Sequence, residues 1–124
     1  MNFKDKEAIY LQIADYITEH ITLGKWKPDE KIPSVREMAG ELQVNPNTVM
    51  RTYEHLQNQE IIFNKRGLGH YVALDAIDKI KSIRKERFLQ QELPDFFRSL
   101  YLLDISFEEM QKRYDEYKSK NYPT

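Results

Sequence analysis

Two helix-start signals lie close together in this chain and leave room for only a very short turn between two helices. Ser34 and, three residues later, Glu37 form a capping box, in which each side chain accepts a hydrogen bond from a backbone N–H group at the helix start. Asn45 and Pro46 form the second signal, because asparagine favours the N-cap and proline the first helical position. The spacing predicts a short helix, a tight turn and a further helix that runs to about Gln59.

The segments on either side predict a small, mainly α fold with a β-hairpin. Apolar residues recur at helical spacing over residues 8–23, and Gly24 ends that helix. After the helix pair, the runs 61–63 and 70–73 are rich in β-branched and aromatic residues and enclose a loop with two glycines, which predicts a hairpin. Three helices followed by a two-stranded hairpin, here called the wing, form a winged helix-turn-helix.

The pattern becomes helical again after the wing and predicts a short α-helical tail. Isoleucines mark one helical stripe from Asp75 onward, Pro94 interrupts the helical pattern, and Ser106 opens a last helix with a second capping box. We therefore expect two domains: a winged helix-turn-helix over residues 1–74 and a helical tail over residues 75–124.

The tail carries more large apolar side chains than so small a unit can bury. Exposed patches of that kind mark interfaces, and a symmetric homodimer would let each tail cover its twin. The alternative is that the tail packs back on the winged domain of its own chain. The residues predicted to form the dimer surface are Phe88, Leu89, Phe96, Phe97, Leu100, Tyr101 and Leu103.

The helix that follows Asn45 separates two sets of residues onto opposite faces. At about 100° per residue, Arg51 lies about 40° from Asn47, and Glu54 falls on the same side. The opposite face, which would dock the helix on the domain, consists of Val49, Thr52, Tyr53 and Leu56. A DNA-recognition helix needs this arrangement, because its first two turns must present short polar side chains and a base-reading cation.

The exposed side chains suit particular DNA contacts. The Arg51 guanidinium can bridge O6 and N7 of guanine, and Asn47 can pair with adenine or bind a phosphate. Thr48 and Asn45 suit a phosphate or a thymine methyl group, and Arg36 in the preceding helix is placed for a phosphate. The wing tip adds two cations that can reach a minor groove. The predicted DNA-binding residues are Ser34, Arg36, Asn45, Asn47, Thr48, Arg51, Lys65, Arg66 and Gly67.

Less specific interpretations of these residues stay open. The helix pair could be an ordinary helical hairpin, Arg51 could be a solvated surface cation, and Lys65 and Arg66 could only keep the wing tip soluble. The charge balance is the strongest contrary observation: residues 1–73 carry 9 basic and 10 acidic side chains, whereas nucleic-acid binding usually leaves a basic footprint. We therefore expect modest non-specific affinity and a shallow salt dependence.

Composition argues against several other classes of protein. The chain has no cysteine, which excludes disulfides and thiol chemistry, and no apolar run approaches the roughly 18 residues of a membrane span. His20, His55 and His70 lack metal-ligand spacing, and no glycine-rich phosphate loop is present. We expect no cofactor, no metal, no catalytic residues, no membrane partner and a cytoplasmic location.

Four motifs in this order resemble the GntR family of bacterial transcriptional regulators over residues 8–73. They are IYLQI at 9–13, PSVREMA at 33–39, VNPNTV at 44–49 and RGLGHYV at 66–72. The VNPNTV stretch and the short helical tail are similar to the YtrA subfamily. Three residues depart from the family pattern. Asp29 and Gln43 replace usual glycines, which implies altered turns, and His70 replaces a usual serine or threonine in the wing.

The resemblance implies a winged helix-turn-helix regulator, in our interpretation a repressor, that binds a two-fold symmetric DNA operator as a homodimer. It assigns DNA contacts to Arg36, Asn45, Asn47, Thr48, Arg51, Arg66 and Gly67. Because 51 residues follow residue 73, no large effector domain is expected. A small-molecule effector, which the sequence does not identify, would act through the tail with a hinge around Asp75. The alternative function is a winged-helix protein-interaction module without DNA binding, and a small enzyme would need a pocket that the sequence does not indicate.

Overall fold

The computed structural model describes residues 7–124 and divides into two compact units, one ending at Ile83 and one beginning at Arg84. The elements of the first unit follow the order helix, helix, turn, helix, hairpin, which confirms the predicted winged helix-turn-helix. The element bounds in this part of the chain are α1 Ile9–Thr22, α2 Val35–Leu42, α3 Pro46–Asn58, β1 Ile62–Lys65, β2 Gly69–Val72 and α4 Ala76–Arg87.

Both predicted helix starts have the expected capping geometry. The backbone N–H of Glu37 donates to Ser34 Oγ at 3.1 Å, and the backbone N–H of Ser34 donates to Glu37 Oε1 at 3.0 Å, which completes the capping box of α2. This backbone hydrogen bond holds the pKa of the Glu37 carboxyl below its usual value. At the start of α3 the backbone N–H of Asn47 donates to Asn45 Oδ1 at 2.8 Å, and Pro46 occupies the first turn.

The core of the first unit lies between α1, α2 and α3, with the wing and the start of α4 packed against it. Its fully buried side chains include a large aromatic ring and several branched aliphatic groups, and such packing excludes water from the interior. The side chains with 1% exposure or less are Ile17, Ile21, Ile32, Met38, Val49, Thr52, Tyr53, Leu56, Ile61, Val72 and Ala76.

The first unit extends beyond the predicted boundary at residue 74, because α4 contributes to its core. Ala76 is fully buried and Ile80 nearly so, and both belong to the same apolar cluster as α1 and α3. Between them, the Lys79 ammonium forms a salt bridge with the carboxylate of Glu60 at 3.2 Å. The two compact units therefore divide within α4, after Ile83.

The wing is hydrogen-bonded on both sides of its second strand. Strand β1 pairs antiparallel with β2, with Ile62 opposite Val72. On its other edge, β2 exchanges backbone hydrogen bonds with residues 29–32, including the N–H of Ile32 to the carbonyl of His70 at 2.9 Å. Gly69 has φ 113°, a conformation that side-chain-bearing residues rarely adopt, and a Cβ on it would meet only the flexible end of the Lys31 side chain, at 2.8 Å. These bonds fix the base of the wing on the first unit.

The two turn residues that depart from the family pattern have a left-handed backbone. Asp29 has φ 67° and Gln43 has φ 54°, a region that glycine adopts most readily. A non-glycine residue in this conformation costs roughly 1–2 kcal/mol.

The second unit consists of the end of α4, a π-helical turn at Phe88–Glu92, α5 Leu93–Leu102 and α6 Phe107–Asn121. Pro94, predicted to interrupt the helical pattern, lies in the first turn of α5, directly after the π-helical turn that separates α5 from α4. At the start of α6 the backbone N–H of Glu109 donates to Ser106 Oγ at 3.1 Å. Within residues 7–124 no helix has the length and apolar character needed to cross a bilayer.

Candidate nucleic-acid interface

Helix α3 presents one polar face and buries the other, as predicted. Val49 and Leu56 are fully buried, and Tyr53 is 1% exposed. Asn47 and Arg51 are exposed on the opposite side. Glu54 and the half-exposed Met50 also lie outside the core. The residues predicted to contact DNA from the first two turns of α3 lie outside it as well. The helix is therefore held by its apolar side and offers amide and guanidinium groups to solvent.

Two buried hydroxyl groups fix the position of α3. The Thr52 hydroxyl donates to the backbone carbonyl of Tyr10 on α1 at 2.7 Å and is 3.1 Å from that of Thr48. The Tyr53 hydroxyl donates to the carbonyl of Pro33, just before α2, at 2.6 Å. Burial raises the pKa of the Tyr53 phenol, so it stays protonated and keeps donating this bond. Helix α1 and the segment just before α2 thus hold α3 through polar contacts.

The guanidinium of Arg51 rests on the ring of Tyr10. Its central carbon lies 3.9 Å from the ring centroid, which is a close cation–π contact. The edge of the same ring meets His55 of α3, with centroids 5.9 Å apart and planes at 83°. Sequence analysis missed Tyr10, because a helical projection of α3 alone contains no information about contacts from α1. The only available signal was the tyrosine within the IYLQI motif.

A hollow of about 320 Å³ opens beside this pair, between the first turns of α1 and α3. Exposed polar and apolar groups of both helices form its walls, so it joins the predicted recognition face to the start of α1. The lining residues are Ala8, Ile9, Tyr10, Asn47, Thr48 and Arg51.

The predicted contacts around the helix pair differ in how much of each side chain is available. Arg36 is exposed on the first turn of α2. Ser34 and Asn45 each use a side-chain oxygen as a helix cap, so the Ser34 hydroxyl hydrogen and the Asn45 amide N–H groups are the donors left for a ligand. Thr48 is half-buried beside the hollow.

The wing tip separates its two cations. The ammonium of Lys65 lies 4.2 Å from the ring centroid of Tyr71, which itself stacks with Phe63 at 5.9 Å. Arg66 and Gly67 are exposed in the turn, and Gly67 has φ 78°. Lys65 thus packs along the strands, whereas Arg66 projects from the tip.

His70 in the wing faces α3. Its Nε2 is 3.3 Å from Gln57 Oε1, and its ring meets the Tyr53 ring edge-on at 4.9 Å and 75°. Burial lowers the pKa of His70, which keeps the ring neutral near pH 7. The residue that departs from the family pattern therefore packs between the wing and α3.

The predicted dimer surface is largely exposed in the second unit. Phe88, Leu89, Phe96, Phe97, Tyr101 and Leu103 are between 43% and 83% exposed. The prediction for Leu100 is different, because this side chain is only 9% exposed. Phe96 also borders a groove of about 650 Å³ formed with α6 residues Phe107, Met110, Tyr114 and Tyr117.

The fold and this polar helix face define a class of protein, the winged helix-turn-helix regulators. Comparison with known proteins identifies the family within that class: residues 9–72 match the model of the bacterial regulatory proteins of the gntR family. The chain belongs to the GntR family, and the family resemblance predicted from the four motifs is confirmed.

In residues 7–124 no group of His, Asp or Glu side chains could hold a metal ion.

The chain is similar to two transcriptional regulators of Bacillus subtilis (strain 168). It is 37% identical to YhcF over 108 residues, which cover 87% of this chain and 88% of YhcF. It is 43% identical to the transcriptional repressor YtrA over 73 residues, which cover 59% of this chain and 56% of YtrA. The longer match includes the tail, whereas the shorter one has about the length of the winged unit.

Solved structures show the same likeness. A transcriptional regulator of the GntR family from Bacteroides thetaiotaomicron has a TM-score of 0.81 and 53% identity, over 91% of this chain and 98% of that one. The AraR DNA-binding domain in complex with operator ORX1 has a TM-score of 0.52 and 30% identity, over 54% of this chain and 81% of that one.

Proposed function

We propose that this chain is a repressor that binds a two-fold symmetric DNA operator as a homodimer. The observation that carries the proposal is the exposed Asn47–Arg51 face of α3, which is backed by a buried docking face and fixed by α1 and α2. The repressor YtrA and the operator-bound AraR domain, both similar to this chain, support the proposal.

Base recognition falls to the first two turns of α3. Arg51 is exposed and its planar guanidinium can donate two parallel hydrogen bonds to O6 and N7 of guanine in the major groove. Asn47 lies one helical turn before it and can pair with adenine or bind a phosphate. The neighbouring Glu54 disfavours phosphate at that end of the face, so base contact is concentrated toward the start of α3.

The remaining predicted contacts position the domain on the DNA backbone. Arg36 and the hydroxyl of Ser34 on α2, and the amide of Asn45 with Thr48 on α3, can donate to phosphate oxygens. On the wing, Arg66 projects from the tip and can enter a minor groove, and Gly67 lets the backbone approach closely. Lys65 is held over Tyr71 and adds positive charge at the base of the tip.

The tail supplies the dimer contact in this proposal. Phe97, Tyr101 and Leu103 leave a large part of their apolar area exposed within the second unit, and a second copy of the same surface would cover it. Two winged units in one dimer would set their α3 helices about 34–36 Å apart, the spacing of successive major grooves on one side of the double helix.

A small-molecule effector would act by changing the arrangement of the two winged units. Asp75, the predicted hinge, lies within the first compact unit and forms a salt bridge with Lys79 at 3.2 Å. We therefore place the hinge at the division between the units in α4, after Ile83. Repression follows from occupancy, because a dimer bound over a promoter blocks access of polymerase.

The proposal is tested with duplexes that the unaltered protein selects from a random-sequence pool. Arg51→Ala is expected to weaken binding to the selected duplex by about 5- to 150-fold and to relax the preference at one base position. Lys81→Ala, at an exposed cation on α4 outside the predicted DNA-binding and dimer residues, is the control and is expected to bind normally. Failure to select any duplex contradicts DNA binding, and equal weakening on all sequences contradicts base recognition by Arg51.

A further inference from the structure

We propose that Tyr10 on α1 is a positioning residue for DNA recognition, which holds the Arg51 guanidinium in its base-contacting orientation before DNA binds. The inference rests on the proposed function and names a residue outside the helix-turn-helix as part of its specificity. It starts from the 3.9 Å distance between the guanidinium carbon of Arg51 and the ring centroid of Tyr10.

Two further contacts tie Tyr10 to α3, one through its backbone and one through its ring. Its backbone carbonyl accepts the hydrogen bond from the Thr52 hydroxyl at 2.7 Å, which ties this point of α1 to the residue that follows Arg51. Its ring edge meets His55 one turn further along α3, at 5.9 Å and 83°. The ring therefore moves with α3 and forms a fixed platform for a side chain on that helix.

Stacking on this platform leaves the hydrogen-bonding edge of Arg51 available. A cation–π contact uses the face of the guanidinium, whereas its five N–H donors point outward in the plane. The hollow of about 320 Å³ beside the ring is lined by Arg51 together with Asn47 and Thr48, so the guanidinium lies at the edge of an open space. A base edge or a phosphate can approach those donors without displacing Tyr10.

The consequence for binding is pre-organisation. A free arginine side chain samples many rotamers and loses that freedom when it binds a base, which weakens binding. An arginine already held by Tyr10 loses less, and its guanidinium is presented in one plane, as bidentate contact with guanine requires. Tyr10 thereby adds to affinity and to base discrimination without a DNA contact of its own.

The test compares Tyr10→Leu with Tyr10→Phe in the full chain, on a duplex selected by the unaltered protein. Leucine removes the aromatic face and is expected to weaken binding by about 2- to 13-fold, since immobilising a long side chain on binding costs about 0.5–1.5 kcal/mol. Phenylalanine keeps the face and is expected to restore binding. Tyr16→Leu, the same change on α1 beside His20 and away from Arg51, is the matched control. The Thr52 hydrogen bond uses the backbone of residue 10 and persists in every variant.

A double variant separates positioning from a structural role. If Tyr10 acts through Arg51, Tyr10→Leu causes no further loss when Arg51 is already alanine. Equal losses in both backgrounds, or normal binding by Tyr10→Leu, would overturn the inference. Normal binding by Arg51→Ala would contradict both base recognition by Arg51 and the positioning role of Tyr10. Weakened DNA binding by Arg51→Ala, together with normal binding by Tyr10→Leu, would contradict only the positioning role.

A measurement without DNA gives a second readout. In the free protein, protons of the Arg51 side chain above the Tyr10 ring are expected to show ring-current shifts to high field in NMR spectra. Those shifts should remain in Tyr10→Phe and vanish in Tyr10→Leu. Identical Arg51 resonances in Tyr10→Leu and the unaltered protein would contradict the platform.

Discussion

The two compact units differ in how far they bury their large apolar side chains. In the first unit, Ile17 and Leu56 are fully buried and Tyr53 is 1% exposed, in a cluster that draws on every element up to α4. Among residues 84–124, Leu100 is the buried hydrophobic residue, whereas Phe97 and Tyr101 are 47% and 83% exposed. The first unit thus forms a complete apolar core, whereas the second exposes large apolar side chains, a feature typical of interaction surfaces.

The two units also differ in where their polar contacts lie. The first unit uses Thr52 and Tyr53 to donate buried hydrogen bonds to backbone carbonyls on neighbouring segments, and each bond fixes α3 at a defined place. In the second unit the ion pair between Arg113 and Glu109 at 3.8 Å lies on one exposed helix face. A surface pair of this kind contributes little to stability. Buried hydrogen bonds between segments therefore hold the helix at which DNA recognition is proposed.

The largest effect is expected when the tail surface is made unable to pair. Phe97→Asp combined with Tyr101→Asp places two charges on the exposed face of α5 and should convert a dimer into monomers in sedimentation experiments. Operator binding should fall by at least about 100-fold, because the second winged unit no longer binds as part of the same molecule. Leu23→Asp, at an apolar position 74% exposed in the first unit, is the control and should stay dimeric. A dimeric double variant would contradict the assigned surface.

A pair of leucine substitutions sharpens the contrast between the units. Leu56→Ala empties a fully buried site and should lower the free energy of unfolding by about 2–5 kcal/mol at any protein concentration. Leu103→Ala acts at a position 68% exposed, so at low concentration it should change that free energy by less than about 0.5 kcal/mol. At higher concentration a destabilising effect should emerge as the dimer forms. Urea titrations over a range of concentrations check both; a large, concentration-independent loss in Leu103→Ala would show that Leu103 packs within its own chain.

The smallest effect concerns pH and is confined to the first unit, which contains all three histidines of the chain. Burial lowers the pKa of His70 in the folded state, so between its folded and unfolded pKa values the unfolded chain binds more protons. The free energy of unfolding should therefore fall as the pH drops below about 6.5, the ordinary histidine value. His70→Thr should show a weaker fall in urea titrations at several pH values, and an unchanged pH profile would contradict the packing of His70 against α3.

Local signals in the sequence predicted the helix-turn-helix well, because caps act within a few residues. The pairs Ser34 with Glu37 and Asn45 with Pro46 place both helix starts where the structure has them. The buried face of α3 was also predictable, since a helix imposes a fixed rotation per residue. Pro94 marks the start of α5 after the π-helical turn, in keeping with the preference of proline for the first turn of a helix.

Contacts between elements could not be predicted in the same way. The stacking of Arg51 on Tyr10 and the packing of His70 against Gln57 join residues whose proximity depends on how helices and wing pack. The extension of the first unit into α4 has the same origin, because Ala76 becomes a core residue only once the hairpin is in place. The burial of Leu100 likewise depends on tertiary packing, which a helical pattern does not reveal.

We propose that the dimer presents its two α3 faces about one turn of the double helix apart. Since the chain has no cysteine, Asn58→Cys at the exposed end of α3, about two turns beyond Arg51, introduces a single site for a nitroxide spin label. Pulsed electron spin resonance then measures the distance between the two labels, without DNA and with a selected duplex. We expect a single main distance near 34–36 Å, one turn of B-form DNA, when the duplex is bound. No dipolar coupling between the labels would contradict the dimer. A distance in the DNA-bound state that differs from one turn by more than about 15 Å would contradict the proposed placement of the two α3 helices.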